Sequence, residues 1–588
     1  MHHLLSFSDI QHILSIKLLL VVFVISGLLF LYKKWHPLIF LLLTGTLIAL
    51  SYSILVDDLG LMFWGLRGDE VTIAAMYQMF AHGSFFSDFG FPELPPFYPP
   101  FFFWLFAIPG KIFQWNGVMM AKVATATTMF IFPALTYVIQ SRYWKTHTSE
   151  SNTHEVMPGI IAWFLAPFLI FFLTDWDAFI LKPYEILAAM GSVLWVSYLL
   201  NDLHRGVWSK TRVVVYALTG GVLFMMYYLW LIYGAMAIAL SGLFVPKKEQ
   251  GKFYLRLIIL AVLTLLVAIP YLGPLVHSYA VHGTENWPVA FMSLRGLDLY
   301  VQMVQWFSWR GIVLLFGFIV LLWYRHVVYI RSLLLLFIVG YIWQIMGWTT
   351  ILLFAAPLQE FKPFDFYHFT ILAFAAAYGI ERGYVLLKER YVDSNKQWQI
   401  VVPIVGLVFI TPSMIFGSFI DDPRVQERRL ASKEVGLPVR ELVEYLQTER
   451  VFPGLKTVHS SIGQVHAFVP INSYIYFNQH NNHPATRFSE KFVYLDIASK
   501  SSTPAELYQA VSSIPAGPID RFILYKNYDN PDYELYFHVD DFPNGAKDQG
   551  IYFKKTLFAE PYFTKKLENR EFVVWERNVD IAISEIDL

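Results

Sequence analysis

Arg67, Asp69 and Glu70 put three charges within four residues, in the stretch FWGLRGDE, just after an apolar run that Asp57 and Asp58 close. A charge near bilayer depth is expensive and commonly serves a function there. The same residues also suit plain helix chemistry. Asp69 would cap the helix that VTIAAMYQMF predicts, and Glu70 would favour the positive end of its dipole. Both readings stand on these letters. A second acidic group, Asp175 and Asp177 in TDWDAFILKPYE, could combine with His277 or His368 to offer ligands suited to Mg²⁺, Mn²⁺ or Ca²⁺. Ordinary turn residues look the same, so the metal ligands stay unknown.

The elements that must position these groups are largely membrane helices. Of 588 residues, 56% are hydrophobic and only 15% are charged, against about 25% charged in soluble proteins. The chain therefore reads as an integral membrane protein. A net charge of −1 gives no basic field for nucleic acid. The absence of cysteine excludes disulfides, thiolate metal sites and a Cys nucleophile. No G-x-G-x-x-G or H-E-x-x-H motif occurs, and the absence of a P-loop argues against a primary ATP-driven transporter. The first apolar run lacks a small-residue cleavage site and reads as a retained span.

Apolar runs predict about twelve transmembrane helices: 16–32, 37–56, 122–140, 157–174, 181–200, 213–227, 229–245, 257–272, 310–324, 332–355, 366–386 and 398–417. The pair from 213 to 245 could equally be one long helix. With Lys33 and Lys34 inside, every short basic connection falls on the same side, as the positive-inside rule requires. The long connections 57–121, 273–309 and 356–365 fall outside, as does the chain after 417. Loop 57–121 predicts two short interfacial helices, the second opened by Pro99 and Pro100. Residues 421–588 read as a soluble α/β domain following a 1–420 membrane domain. VRELVEYLQ has helix spacing, and TPAELYQAV carries a capping box with Pro504 at the first helical position. IDRFILY, GIYFKK and REFVVWER read as strands. No internal repeat is evident, which disfavours an inverted-repeat transporter.

The first loop, RGDEVTIAAMYQMFAHGSFF…PPFYPPFFFWL, resembles that of GT-C glycosyltransferases: an acidic pair after an early span, an interfacial helix, then Y-P-P opening another helix. Within that superfamily the chain is similar to the arabinofuranosyltransferases that prime mycobacterial cell-wall galactan. The tail stretch YFNQHNNHPATRFSEKFVYL resembles the outer C-terminal domain of that family. The charges do not match the family letter by letter.

This resemblance implies a GT-C-like bundle of about twelve spans with an extracytoplasmic α/β domain, in a bacterial plasma membrane. It implies transfer of D-arabinofuranose from decaprenyl-phosphoryl-arabinose, by single displacement, to an extracytoplasmic galactan-like glycan or a glycoprotein. Partners are then the lipid-linked donor, the acceptor and membrane lipid, with no nucleic acid. No cofactor is certain, and a divalent cation is left open. Asp69 is the expected base, with Glu70 the close alternative. Burial would raise the Asp69 pKa, and pairing with Arg67 would lower it. The donor phosphate would be held by Lys182, Lys362, Arg67, His368 and Arg295. Lys182 and Lys362 each precede a proline in a turn at the bundle mouth. Tyr98, Asp175 and Asp177 would support the loop, and His480 and His483 would contact the acceptor or build the fold. The competing class is a transporter or flippase of a lipid-linked sugar, which would place its charges near the midplane and not at span ends.

Overall fold

The computed structural model describes residues 7–33, 36–66, 68–148, 158–285, 298–299, 301, 308–356, 358–390, 423–448, 453–460, 462–515, 517–527, 530–541 and 544–579. Its first part is helical: α1 (Phe7–Lys33), α2 (Pro37–Val56), α3 (Asp69–His82), α4 (Phe101–Phe113), α5 (Gly117–Thr148), α6 (Ile160–Leu181), α7 (Pro183–His204), α8 (Lys210–Ser241), α9 (Lys247–His282), α10 (Trp309–Trp323), α11 (Val328–Phe354) and α12 (Tyr367–Arg390). Among the described residues, seven helices are long and apolar enough to cross a membrane: α1, α2, α5, α7, α8, α9 and α11. The protein is thus a mostly helical, multi-pass molecule with a C-terminal mixed-sheet domain. Expected spans 157–174 and 310–324 do form apolar helices, but their apolar runs, Ile160–Thr174 and Trp309–Trp323, fall short of the roughly 20 residues a bilayer core takes. The expected span 398–417 lies outside the described residues.

The open question at 213–245 has a structural answer. α8 is broken at Tyr227, whose φ of −165° and ψ of 94° are not helical. Trp195 of α7 donates to the Tyr216 carbonyl before the break, while Ser192, one turn away, donates to the Trp230 carbonyl after it. On a straight helix those carbonyls would be about 21 Å apart. Gly234 also packs on Val196 and Ser192. The two arms therefore run in opposite directions, with Tyr227 at the apex beside the start of α7. The chain from 213 to 245 thus folds back along α7 as two arms, each shorter than the roughly 20 residues a bilayer core takes.

The end of the bundle that carries this apex also carries the first loop. α3 and α4 pack on each other and on α5, and the Tyr271 hydroxyl of α9 donates to the Phe97 carbonyl. Prolines 99 and 100 stand just before α4, with Pro100 as its cap, instead of inside its first turn.

After α13 (Pro423–Ser432) and α14 (Leu437–Thr448) comes a mixed sheet of β1 (Lys456–His459), β2 (Asn472–Ser473), β3 (Arg521–Lys526), β4 (Tyr533–Asp540), β5 (Ala546–Phe553), β6 (Phe563–Glu568) and β7 (Phe572–Arg577), with α15 (Phe488–Ser499) and α16 (Pro504–Ser512). β3 lies between parallel β1 and antiparallel β7, and β4 takes over beside it where β1 ends. Side chains alternate across a strand, so RFILYK serves two cores. Phe522 and Leu524 pack with Leu507, Val511 and Leu495 of α16 and α15. Ile523 packs with Leu442, Val443 and Leu446 of α14. The strand reads as continuously apolar because both faces are covered. The predicted helix cap forms, in a variant of the capping box: the Thr503 hydroxyl accepts from the Glu506 amide, and the Glu506 carboxylate accepts from the amide of Ser502, one residue before the cap.

The sheet domain is locked to the bundle. Gln78 of α3 donates to the Phe468 carbonyl, the Ser473 amide donates to the Gly90 carbonyl, and the Glu285 amide donates to the Pro484 carbonyl. Gly117 opens α5 where the chain passes between the carbonyls of Ala74 and Ala467, with no room for a Cβ.

Candidate active site

Two Lys-Pro dipeptides bring cations to the same place. Lys182 is the one residue between α6 and α7; Pro183 disfavours a helical conformation there and starts α7 at its first position. Lys362 opens a 3₁₀ turn, Lys362–Phe364, before α12. Glu185 joins the two. It is fully buried, with one oxygen 2.8 Å from the Lys362 ammonium and the other 3.6 Å from that of Lys182. Lys182 reaches on to Asp69, at 2.7 Å. The result is a chain of alternating charge, Asp69–Lys182–Glu185–Lys362, drawn from three separate parts of the sequence.

Aromatic rings enclose this chain. The Tyr98 hydroxyl lies 2.9 Å from that of Tyr184, whose ring neighbours Phe103 and Tyr227. The Lys362 ammonium sits 5.5 Å above the Tyr227 ring, so the apex of α8 forms one wall. Trp230 donates to the Glu185 carbonyl and stacks on Tyr367. Burial raises the Tyr98 pKa, and the nearby carboxylates of Glu185 and Asp69 reinforce it.

Asp69 is the first residue of α3 and not its cap; the cap is Gly68, which makes no side-chain cap bond. The carboxylate is spent on Lys182 instead, while 42% of its side chain stays accessible. Lys182 is the main cause that lowers the Asp69 pKa to about 2; burial opposes it, and His480 and Lys362 add to it. The environment left open by the sequence is therefore the lowering one, with Lys182 as the observed cation. Glu70 turns the other way. It is 5% exposed and its electrostatic neighbour is Tyr52 of α2. Adjacent helical residues point about 100° apart, so one carboxylate of the pair meets the lysines.

Two other acidic residues of the first loop go elsewhere. Asp58 binds Arg429 of α13 at 2.9 Å. Asp88 knots its own loop by accepting from the Gly90 amide, and burial raises its pKa to about 7.

The other expected site residues divide. His480 is a neighbour of Asp69 and Lys182; burial dominates its pKa and lowers it to about 4. His483 is a structural pin. It accepts from the Ala485 amide at Nδ1 and donates from Nε2 to the Pro95 carbonyl, 3.0 Å away. His368 is fully buried in a ring of Phe337, Tyr341 and Phe364, apart from the charge chain. Asp175 and Asp177 lie in the last turns of α6 and not in a turn after it; their side chains fall outside the described residues. Arg67 and Arg295 also lie outside the described residues. His277 lies on the exposed side of α9. The group of metal-type ligands found among the described residues, Asp9, His12 and Asp58, is already paired with Arg429 and Lys433. Glu185, Tyr184 and Tyr227 were absent from the expected set. The Lys-Pro-Tyr-Glu spacing was the available signal, since residues three apart share a helix face. No protein-family model matches this sequence, and no curated protein is significantly similar to it.

Proposed function

We propose that this protein is a GT-C-type membrane glycosyltransferase that takes its sugar from a polyprenyl-phosphate carrier, D-arabinofuranose being the first candidate, and transfers it to a hydroxyl of an extracytoplasmic glycan. The observation that carries the reading is the convergence of Asp69, Lys182 and Lys362 around Glu185 at one end of the bundle. A bond to an anionic leaving group breaks most readily where fixed cations meet the developing charge in a dry site. Two lysines, anchored by a buried carboxylate, supply that. A nearby carboxylate can accept the acceptor proton.

In this reaction the acceptor oxygen attacks the anomeric carbon, the bond from that carbon to the phosphate oxygen breaks, and its electron pair leaves with the lipid phosphate. The acceptor proton goes to Asp69. At a pKa of about 2, Asp69 is a poor base while it is paired. A donor phosphate competes for Lys182, and withdrawal of that cation raises the Asp69 pKa. Donor binding would thus switch on the base, so that the free enzyme does not activate stray hydroxyls. The bundle, the first loop and the sheet domain all meet at this end, which fits a lipid-borne donor and a soluble acceptor arriving from different sides.

The test is transfer of labelled arabinose from synthetic decaprenyl-phosphoryl-arabinofuranose to galactan oligosaccharides by the purified full chain, beside Asp69→Asn and Lys182→Met. Transfer by wild type, with loss of at least about 10²-fold in Asp69→Asn, is expected. A folded wild type inactive with this donor removes arabinose. Inactivity also with mannosyl and aminoarabinosyl donors removes the transferase reading.

A further inference from the structure

A cleft of about 830 Å³ opens between the sheet domain and the start of α3. Its floor is the sheet face that carries Tyr525, Tyr536 and His538, and its walls include Phe477, Phe572 and Gln464. Leu66, Gly68 and Val71 close it on the bundle side. Gly68 adopts a φ of +57° and has open space where a Cβ would stand. The next residue is Asp69. His480 is an electrostatic neighbour both of Asp69 and of His538 in the cleft.

The lining is specific in kind. Among the described residues its lining contains no lysine or arginine, and Asp548 adds a carboxylate that disfavours an anionic ligand. It offers aromatic faces edged by side-chain amide, imidazole and carboxylate groups. That combination suits a ligand with apolar C–H faces and many hydroxyls, because rings cover the former and polar edges bond the latter. Tyr536 is held for this role. Its hydroxyl donates to the buried Glu534 at 2.6 Å, and its amide donates to the Ser460 hydroxyl at 3.0 Å. Asn527 and Asn530 donate to the same Glu534. A ring fixed before binding loses little entropy when a ligand stacks on it. His538 is oriented by Asp548, 3.0 Å away.

We propose that this cleft is the acceptor groove: it binds an uncharged oligosaccharide, stacks its rings on Tyr536 and Phe477, and leads the reacting hydroxyl past Gly68 to Asp69. The last part rests on the glycosyl-transfer reading; saccharide binding does not.

The experiment uses the full chain in nanodiscs without donor. Saturation-transfer NMR titrations with neutral galactan and arabinan oligosaccharides, and with glucuronate-containing oligosaccharides as the anionic control, compare wild type, Tyr536→Ala and His538→Trp. His538 is 45% exposed, so its replacement fills the cleft without disturbing the core. The expected result is saturable binding of a neutral oligosaccharide, weakened about ten- to thirtyfold in both cleft variants. Equal affinity in wild type and cleft variants overturns the proposal, as does binding of the anionic set alone or of none. Transfer with an acceptor KM unchanged by the cleft variants would remove the groove and keep the transferase. Cleft-dependent binding without transfer would do the reverse.

Discussion

Replacing Lys182 with methionine removes the cation nearest Asp69 while keeping most of the side-chain volume. At their 2.7 Å separation, two unit charges interact by about 1.5 kcal/mol in bulk water and about 6 kcal/mol at an effective dielectric of 20. One pKa unit corresponds to about 1.4 kcal/mol, so removal should lift the Asp69 pKa by roughly 1 to 4.5 units. With 42% of the side chain accessible, screening favours the lower half of that range. The expected midpoint is about 3 to 5, against about 2 in the wild type. Burial, which opposes the lysine, remains in place after the substitution and pushes the same way. The assay is the infrared carboxyl band over pH 2–7, taken as the difference between Lys182→Met and Lys182→Met/Asp69→Asn. A depressed carboxylate stabilises the fold above its unfolded pKa and loses that contribution as pH falls through the folded value. The wild type should therefore hold the Asp69 charge almost to pH 2, and the variant should lose it near pH 4. A midpoint that stays near 2 would refute Lys182 as the cause, and with it the idea that a phosphate activates the base by drawing Lys182 away.

Lys362→Met should destabilise the bundle, by less than the about 3–5 kcal/mol of a fully uncompensated buried charge, because buried Glu185 loses its 2.8 Å partner but keeps Lys182 at 3.6 Å; Lys362→Met/Glu185→Gln should recover part of this in denaturant unfolding, and a double variant no better than the single would contradict the pairing. Burial lowers the pKa of His459 to about 4 and of His483 to about 3, and pushes His466 well below the ordinary 6.5. Between about pH 6.5 and 4 the unfolded chain thus binds more protons, so stability should fall as pH drops through that window, with a shallower slope in His466→Gln; thermal melts across the range check it. Gly117→Ala puts a methyl against the carbonyls of Ala74 and Ala467, which should cost about 1–3 kcal/mol and raise protease sensitivity between bundle and sheet domain; an unchanged Tm would count against that close approach.

Composition and local pattern determined much of this protein. The shortage of charge announced membrane helices, because a bilayer removes the water that charges need. Thr503 and Glu506 marked a helix start, and the β-branched and aromatic runs marked β3, β5 and β7, since capping and pleated packing are decided within a few residues. The short strands β1 and β2 were not legible, because they exist only through pairing with chain far away. The lysine-proline pairs were also visible, because proline acts on its immediate neighbour.

Tertiary structure alone decided what those groups face. Asp69 and Glu70 are neighbours in the sequence, yet one meets Lys182 and the other is buried on the side of Tyr52. The phase of a helix relative to its bundle is fixed by packing and not by its own letters. Tyr227 gives no local sign of a chain reversal, since neither glycine nor proline stands there. Glu185 became the centre of the charge chain only when the turn at Lys362 came to rest against it, 177 positions further along. Which charges meet is set by long-range contacts, and those are formed by the whole fold.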